Sequence, residues 1–161
     1  VRLLIDANQK FVPKDAIRFG RRLDEFDITW FEEPVAVHDL RGCAEVRAAL
    51  DIPIATGETE YTSRGIKQLL DQRAADIVMP DLQRIGGYTE FRRSAALAAA
   101  DDTPVSSHFF TEHSLCVAAA TPNCISVEHV DWFAPLFSES VELRDGRIVV
   151  PNRPGTGFTF R

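Results

Sequence analysis

Residues 28–58, ITWFEEPVAVHDLRGCAEVRAALDIPIATGE, decide the fold. Two short β-branched runs, Ile28–Glu32 and Pro53–Glu58, each end in a carboxylate, and a stretch of helical period, His38–Leu50, lies between them. Glu33-Pro34 closes the first run, because the residue before a proline is pushed out of the helical region. Strand, helix and strand on short connections predict a parallel pair with a right-handed crossover.

The same unit recurs on both sides. Val1–Asp6 (VRLLID) reads as a strand and Pro13–Phe26 as a helix, with Pro13 in its first turn. Thr62–Ala74 reads as a helix capped by Thr62 or Ser63, and Asp76–Asp81 (DIVMPD) as a strand. Gly86-Gly87 leads into a helix running to Asp101. Pro104–His108 is a strand, Glu112–Ala120 a helix and Ser126–Val130 a strand. VELRDGRIVV alternates around Asp145-Gly146, a hairpin signal, and PNRPGTGF is a turn-rich tail. Six strands with five intervening helices fit either a doubly wound sheet or part of a (β/α) barrel. The turn after the first strand, DANQKFVP, has no glycine, so the fingerprint of a doubly wound nucleotide binder is missing. Gly86-Gly87 lacks the GxGxxG and GxxxxGK patterns.

The polar residues at the strand ends favour the barrel. Asp6, Glu32, Glu58, Asp81, His108 and Glu128 follow one another at 26, 26, 23, 27 and 20 residues, one βα unit apiece. By strand parity Leu4 shares a face with Asp6, Trp30 with Glu32, Thr56 with Glu58, Met79 with Asp81, Ser106 with His108, and Ser126 with Glu128. All six polar groups then face one axis at the C-terminal rim, where barrel enzymes build their sites. Asp6, Glu32 and Glu58 come from successive strands. Their charges repel unless a cation neutralises them, and oxygen-only ligation suits a hard ion such as Mg²⁺. There is no HExxH and no Cys cluster, which disfavours zinc. Asp81 beside His108 would raise the imidazole pKa and fix its tautomer, the preparation of a general acid/base.

The chain of 161 residues has room for one domain, and 18 Lys+Arg against 24 Asp+Glu give a net charge of −6. That balance argues against a nucleic-acid or anionic-membrane surface. No apolar run approaches the ~20 residues of a membrane span. Cys43, Cys116 and Cys124 form no CxxC pair, which points to a reducing, cytoplasmic compartment. The opening VRLLIDANQ starts inside a strand, so upstream sequence is expected.

The segments LIDANQ, WFEEP, TGE, MPDLQRIGG, SSHFF and VEH, in this order and spacing, resemble the enolase superfamily in its mandelate racemase branch. The ending VEHVDWFAPLFSESVELRDGRIVVPNRPGTGFTF is similar to that of galactarate/talarate-type acid-sugar dehydratases. The resemblance implies a TIM-type barrel with Mg²⁺ held by Asp6, Glu32 and Glu58. It also implies a His108–Asp81 dyad and Glu128 bonded to the substrate carboxylate. The implied chemistry is removal of the proton α to a carboxylate of a small hydroxy-carboxylate, giving an enediolate. Dehydration of an acid sugar to a 2-keto-3-deoxy acid is the leading reading. Racemisation or epimerisation of a 2-hydroxy acid on the same site is the alternative. A non-catalytic metal-binding scaffold is the reading from another class.

The chain departs from the family's pattern in lacking the N-terminal capping domain, two barrel strands and a KxK lysine. Residues 1–140 therefore read as the C-terminal portion of the barrel, and 141–161 as a hairpin and tail that would pack on the capping domain. The 161 residues alone are expected to be inactive, and the full-length protein to be a homo-oligomer. Lys10, Lys14 and Lys67 read as solvated. Glu33 would support its neighbouring ligand from behind or form a salt bridge, and Arg84 offers a cation near the site or at the surface. His38 and His113 read as lying near helices, and His129 as facing away from the axis. Cys116, Cys124, Trp132, Phe133 and Phe137 read as packing.

Overall fold

β1 (Leu3–Asp6), β2 (Ile28–Glu32), β3 (Ile54–Thr56), β4 (Ile77–Val78), β5 (Val105–Ser107) and β6 (Cys124–Val127) lie side by side in chain order, every pair parallel. The structure, a computed structural model, describes residues 1–161. The crossovers are α1 (Pro13–Gly20), α2 (Leu40–Ala49), α3 (Thr62–Asp71), α4 (Leu82–Ile85) with α5 (Tyr88–Ala100), and α6 (Thr111–Ala119). In a doubly wound sheet the strand order reverses; here it does not, as in the wall of a barrel. β7 (Leu143–Arg144) and β8 (Arg147–Ile148) form the hairpin read around Asp145-Gly146. No helix is long and apolar enough to cross a membrane.

The central strands β2 to β5 are buried on both faces, which explains their near-continuous apolar residues, whereas the edge strands β1 and β6 are partly exposed. Phe31, Ile54, Val78 and Val105 face the helices and join Val46, Ile66, Leu69, Ile85 and Phe91 in the main core. Trp30, Ala55, Ile77 and Met79 form a smaller cluster on the opposite, inner face. Burying each large side chain contributes about 1.5–3 kcal/mol.

This division corrects one of the parity readings. Ala55 belongs to the inner cluster and Ile54 to the helix side, so Thr56 shares the face of Ile54. Glu58 returns to the inner face because Gly57 breaks the alternation with φ of +123°. A side chain there would be strained, and its Cβ would come within 3.3 Å of the Met79 amide. β6 begins and ends earlier than read. Val105 pairs with Cys124 and Ser106 with Ser126, so Ile125 is an extra, bulged residue that resets the phase.

Other boundaries moved for local reasons. α1 stops at Gly20, and Asp24–Phe26 is a separate 3-10 turn. At the start of α3 the Thr62 hydroxyl accepts the Arg64 backbone amide at 3.3 Å, and the Glu90 carboxylate of α5, not Ser63 itself, takes up the Ser63 amide at 2.8 Å. α4 escaped the sequence reading because four residues carry no helical period. Cys116 and Cys124 are half-buried, whereas Cys43 is buried. Trp132 is 71% exposed and meets Phe109 edge-on. Phe137 is buried. The tail returns to it: Phe160 stacks on Phe137 at 4.8 Å and meets His113 edge-on.

Candidate active site

The ends of β4 and β5 place the dyad. Asp81 and His108 form a parallel bridge just beyond their strands, which sets the two side chains next to each other. His108 Nδ1 lies 2.8 Å from Asp81 Oδ2. The other Asp81 oxygen accepts the amides of Gln83 and Arg84 at 2.8 and 2.9 Å, so the start of α4 holds the carboxylate in place. His108 Nε2 points inward, 3.1 Å from Glu58 Oε2 and 3.7 Å from Glu128 Oε2. Behind the ring, Phe109 stacks at 5.2 Å, and its amide donates to Glu128 Oε2 at 2.8 Å.

The charges follow from these contacts. Burial works against the charged form of His108. The Asp81 bond and then the Glu58 and Glu128 carboxylates outweigh it and push the ring up to about 10. Burial likewise opposes ionisation of Asp81 and Glu58. His108 first, then the Arg84 amide for Asp81 and the Arg84 guanidinium for Glu58, hold both below their ordinary values.

Asp6 and Glu32 end β1 and β2 as read, while Glu58 lies in the turn two residues past β3, and each carboxylate has taken its own donor. Asp6 accepts the Asn8 amide at 2.7 Å, Glu32 the Trp30 indole at 3.1 Å, and Glu58 both Arg84 and His108. No three of the acidic, His and Cys side chains are gathered closely enough to share an ion. Like charges repel, and a nearby donor is the local remedy. The residues nonetheless fit a cation. Burial, and then the charges of Asp6, Glu58 and Glu128, push Glu32 up to about 7 despite the indole. A hard divalent ion among these oxygens would remove that penalty.

Arg84 does reach the site: Nη1 lies 3.2 Å from Glu58 Oε1. Glu33 is fully buried without a salt bridge; Gln9 Nε2 donates to it at 2.8 Å. Gln9 and Thr59 went unread as site residues, although each lies within three positions of an acid read as a ligand. His129 turns away, with Nδ1 3.3 Å from the Thr111 hydroxyl.

A parallel barrel wall with acids and a fixed imidazole at its C-terminal rim defines an α/β domain of the kind that carries carboxylate–histidine sites. The chain belongs to the enolase C-terminal domain-like family, whose family model matches residues 1–161. It is 43% identical over 158 residues to the L-talarate/galactarate dehydratase of Salmonella typhimurium LT2, covering 98% of this chain and 40% of that protein. Arabinonate dehydratase of Saccharolobus solfataricus is 34% identical over 169 residues, covering 100% of this chain and 45% of that protein. The structure of L-talarate dehydratase from Polaromonas sp. JS666, complexed with Mg and L-glucarate, superposes with a TM-score of 0.96 at 42% identity, covering 100% of this chain and 45% of that one. The chain thus spans less than half the length of these relatives.

Proposed function

We propose that this chain carries the acid and histidine groups of an Mg²⁺-dependent acid-sugar dehydratase. The reaction is removal of the proton α to a carboxylate and loss of the β-hydroxyl, giving a 2-keto-3-deoxy acid. The observation that carries the reading is the His108 ring, fixed at Nδ1 by Asp81 and open at Nε2 toward Glu58 and Glu128. Asp6, Glu32 and Glu58 would hold Mg²⁺, which when bound takes up the negative charge that develops on the substrate carboxylate.

Glu128, held by the Phe109 backbone amide, would hydrogen-bond the substrate carboxylate and so stand where charge develops. His108 moves the proton. The two acids facing Nε2 keep the ring protonated, the state that donates to a departing hydroxyl. With Glu58 engaged by a cation, one of the charges facing Nε2 would be taken up and His108 would hold its proton less tightly. His108 then takes the α-proton and returns it to the β-hydroxyl. One water leaves and the enol tautomerises to the keto acid. Asp81 keeps Nδ1 protonated throughout, so that Nε2 is the atom that exchanges.

Relatives named for talarate, galactarate and arabinonate support an aldarate or aldonate as substrate. The test is incubation of the full-length protein with galactarate or L-talarate and Mg²⁺, with chemical trapping of keto acid. Product that disappears with chelator and returns with Mg²⁺ supports the reading. Epimerised acid sugar without keto acid would replace it with the racemase/epimerase reading, and no Mg²⁺-dependent change in either substrate would contradict it.

A further inference from the structure

Three loops carry the three acids at the rim, and one hydrogen-bonded group ties all three together. Gln9, three residues beyond Asp6, donates through Nε2 to Glu33 Oε2 at 2.8 Å and lies 3.4 Å from the Thr59 hydroxyl. Thr59, next to Glu58, donates to Glu33 Oε1 at 3.5 Å. Glu33 follows Glu32 directly. The other end of the Gln9 amide accepts the Val37 backbone N–H at 3.1 Å, and the Gln9 backbone N–H donates to the Glu33 carbonyl at 2.7 Å. Gln9 and Glu33 hold φ of +65° and +37°, a left-handed conformation that neither residue favours. Such strain persists only where the surroundings fix it.

We propose that Gln9, Glu33 and Thr59 form a positioning clasp that sets the spacing of the loops bearing Asp6, Glu32 and Glu58, and so pre-forms the cation site. The inference rests on the reading that those three acids share a cation. Glu33 is the centre of the clasp: it is 1% exposed, and each of its oxygens meets a donor from a different loop. A buried carboxylate is costly unless its hydrogen bonds are made, so the three loops are held together by the need to satisfy it. A flexible rim would have to bring three mutually repelling acids together at the moment of binding. The clasp has already done so at the backbone, and the acid side chains need only turn from their present donors.

The test is Mn²⁺ affinity, read from the free-ion EPR signal, in Thr59→Val, Thr59→Ser, Gln9→Leu and Asp6→Asn, alongside thermal melts. Loss of groups that orient ligands weakens metal binding by about 10–100-fold, which is the expectation for Thr59→Val and Gln9→Leu. Thr59→Ser keeps the hydroxyl and should bind within about 2-fold of the wild type, and Thr59→Val combined with Gln9→Leu should fall short of the product of the two single losses. Lowered melting with unchanged Mn²⁺ affinity in both Val and Leu variants would overturn the clasp, since a merely structural group behaves so. A wild type whose Mn²⁺ affinity is indifferent to Asp6→Asn would instead overturn the cation reading itself.

Discussion

Arg84 is tied to Glu58 twice, with Nη1 3.2 Å from the carboxylate Oε1 and 3.3 Å from the backbone carbonyl oxygen. The amide of the same Arg84 is held by Asp81, so one short helix joins the acid that orients His108 to the acid that faces it. Removing the guanidinium leaves Glu58 with His108 alone. Arg84→Met should therefore strengthen the hold of Glu58 on the imidazolium and slow turnover, with Arg84→Lys in between. The Arg84 side chain is 42% exposed, so global stability should change by no more than about 1 kcal/mol in urea unfolding. An unchanged pH profile of turnover in Arg84→Met would count against this link.

His108→Asn and Asp81→Asn separate proton transfer from metal binding. Misplacing or deleting a proton-transfer group costs about 10²–10⁴-fold in rate, while neither residue is read as a ligand. Mn²⁺ should bind both variants nearly as tightly as wild type. Strong loss of metal in His108→Asn would make the imidazole a ligand and overturn its assignment.

Glu90 gives a pH dependence remote from the site. The Ser63 amide, then its hydroxyl, then Arg93 hold Glu90 down to about 2. A carboxyl depressed on folding stabilises the native state above its unfolded pKa near 4.5, and that contribution is lost as pH falls toward 2. Glu90→Gln should lower the melting temperature at pH 7 and flatten the acid limb of the stability profile between those values. An acid limb identical to wild type would show that the α3–α5 contact carries no such linkage.

Gly57→Ala should cost about 1–3 kcal/mol, because φ of +123° is a region that alanine occupies only under strain. The same turn aims Glu58 inward, so metal affinity should fall along with stability. Full metal affinity in this variant would show that Glu58 does not depend on that turn.

The repeating strand–helix unit was legible because each strand is a short apolar run ending in a charge. Order and hand follow from short crossovers. Side-chain direction was legible only where alternation is unbroken, as at Met79 and Asp81. It failed at Thr56, where Gly57 resets the phase, and held for Ser126 and Glu128, which follow the Ile125 bulge. The dyad was readable because Asp81 and His108 end adjacent strands. The turning of Asp6 and Glu32 toward Asn8 and Trp30 was not, since donors two residues away compete with the axis on terms the sequence does not display. Gln9 and Thr59 carry no periodic signal; only the fold brings them to Glu33.

The central claim, that His108 moves the proton α to a substrate carboxylate beside a divalent ion, is tested most directly by proton NMR of an acid sugar in D₂O. The full-length protein is incubated with galactarate and Mg²⁺, and the α-proton is followed in the wild type, in His108→Asn and in chelator. The expected result is Mg²⁺-dependent loss of substrate with deuterium entering the keto acid, abolished in His108→Asn despite retained metal binding. Wild-type turnover of the α-proton that persists undiminished in His108→Asn would contradict the claim.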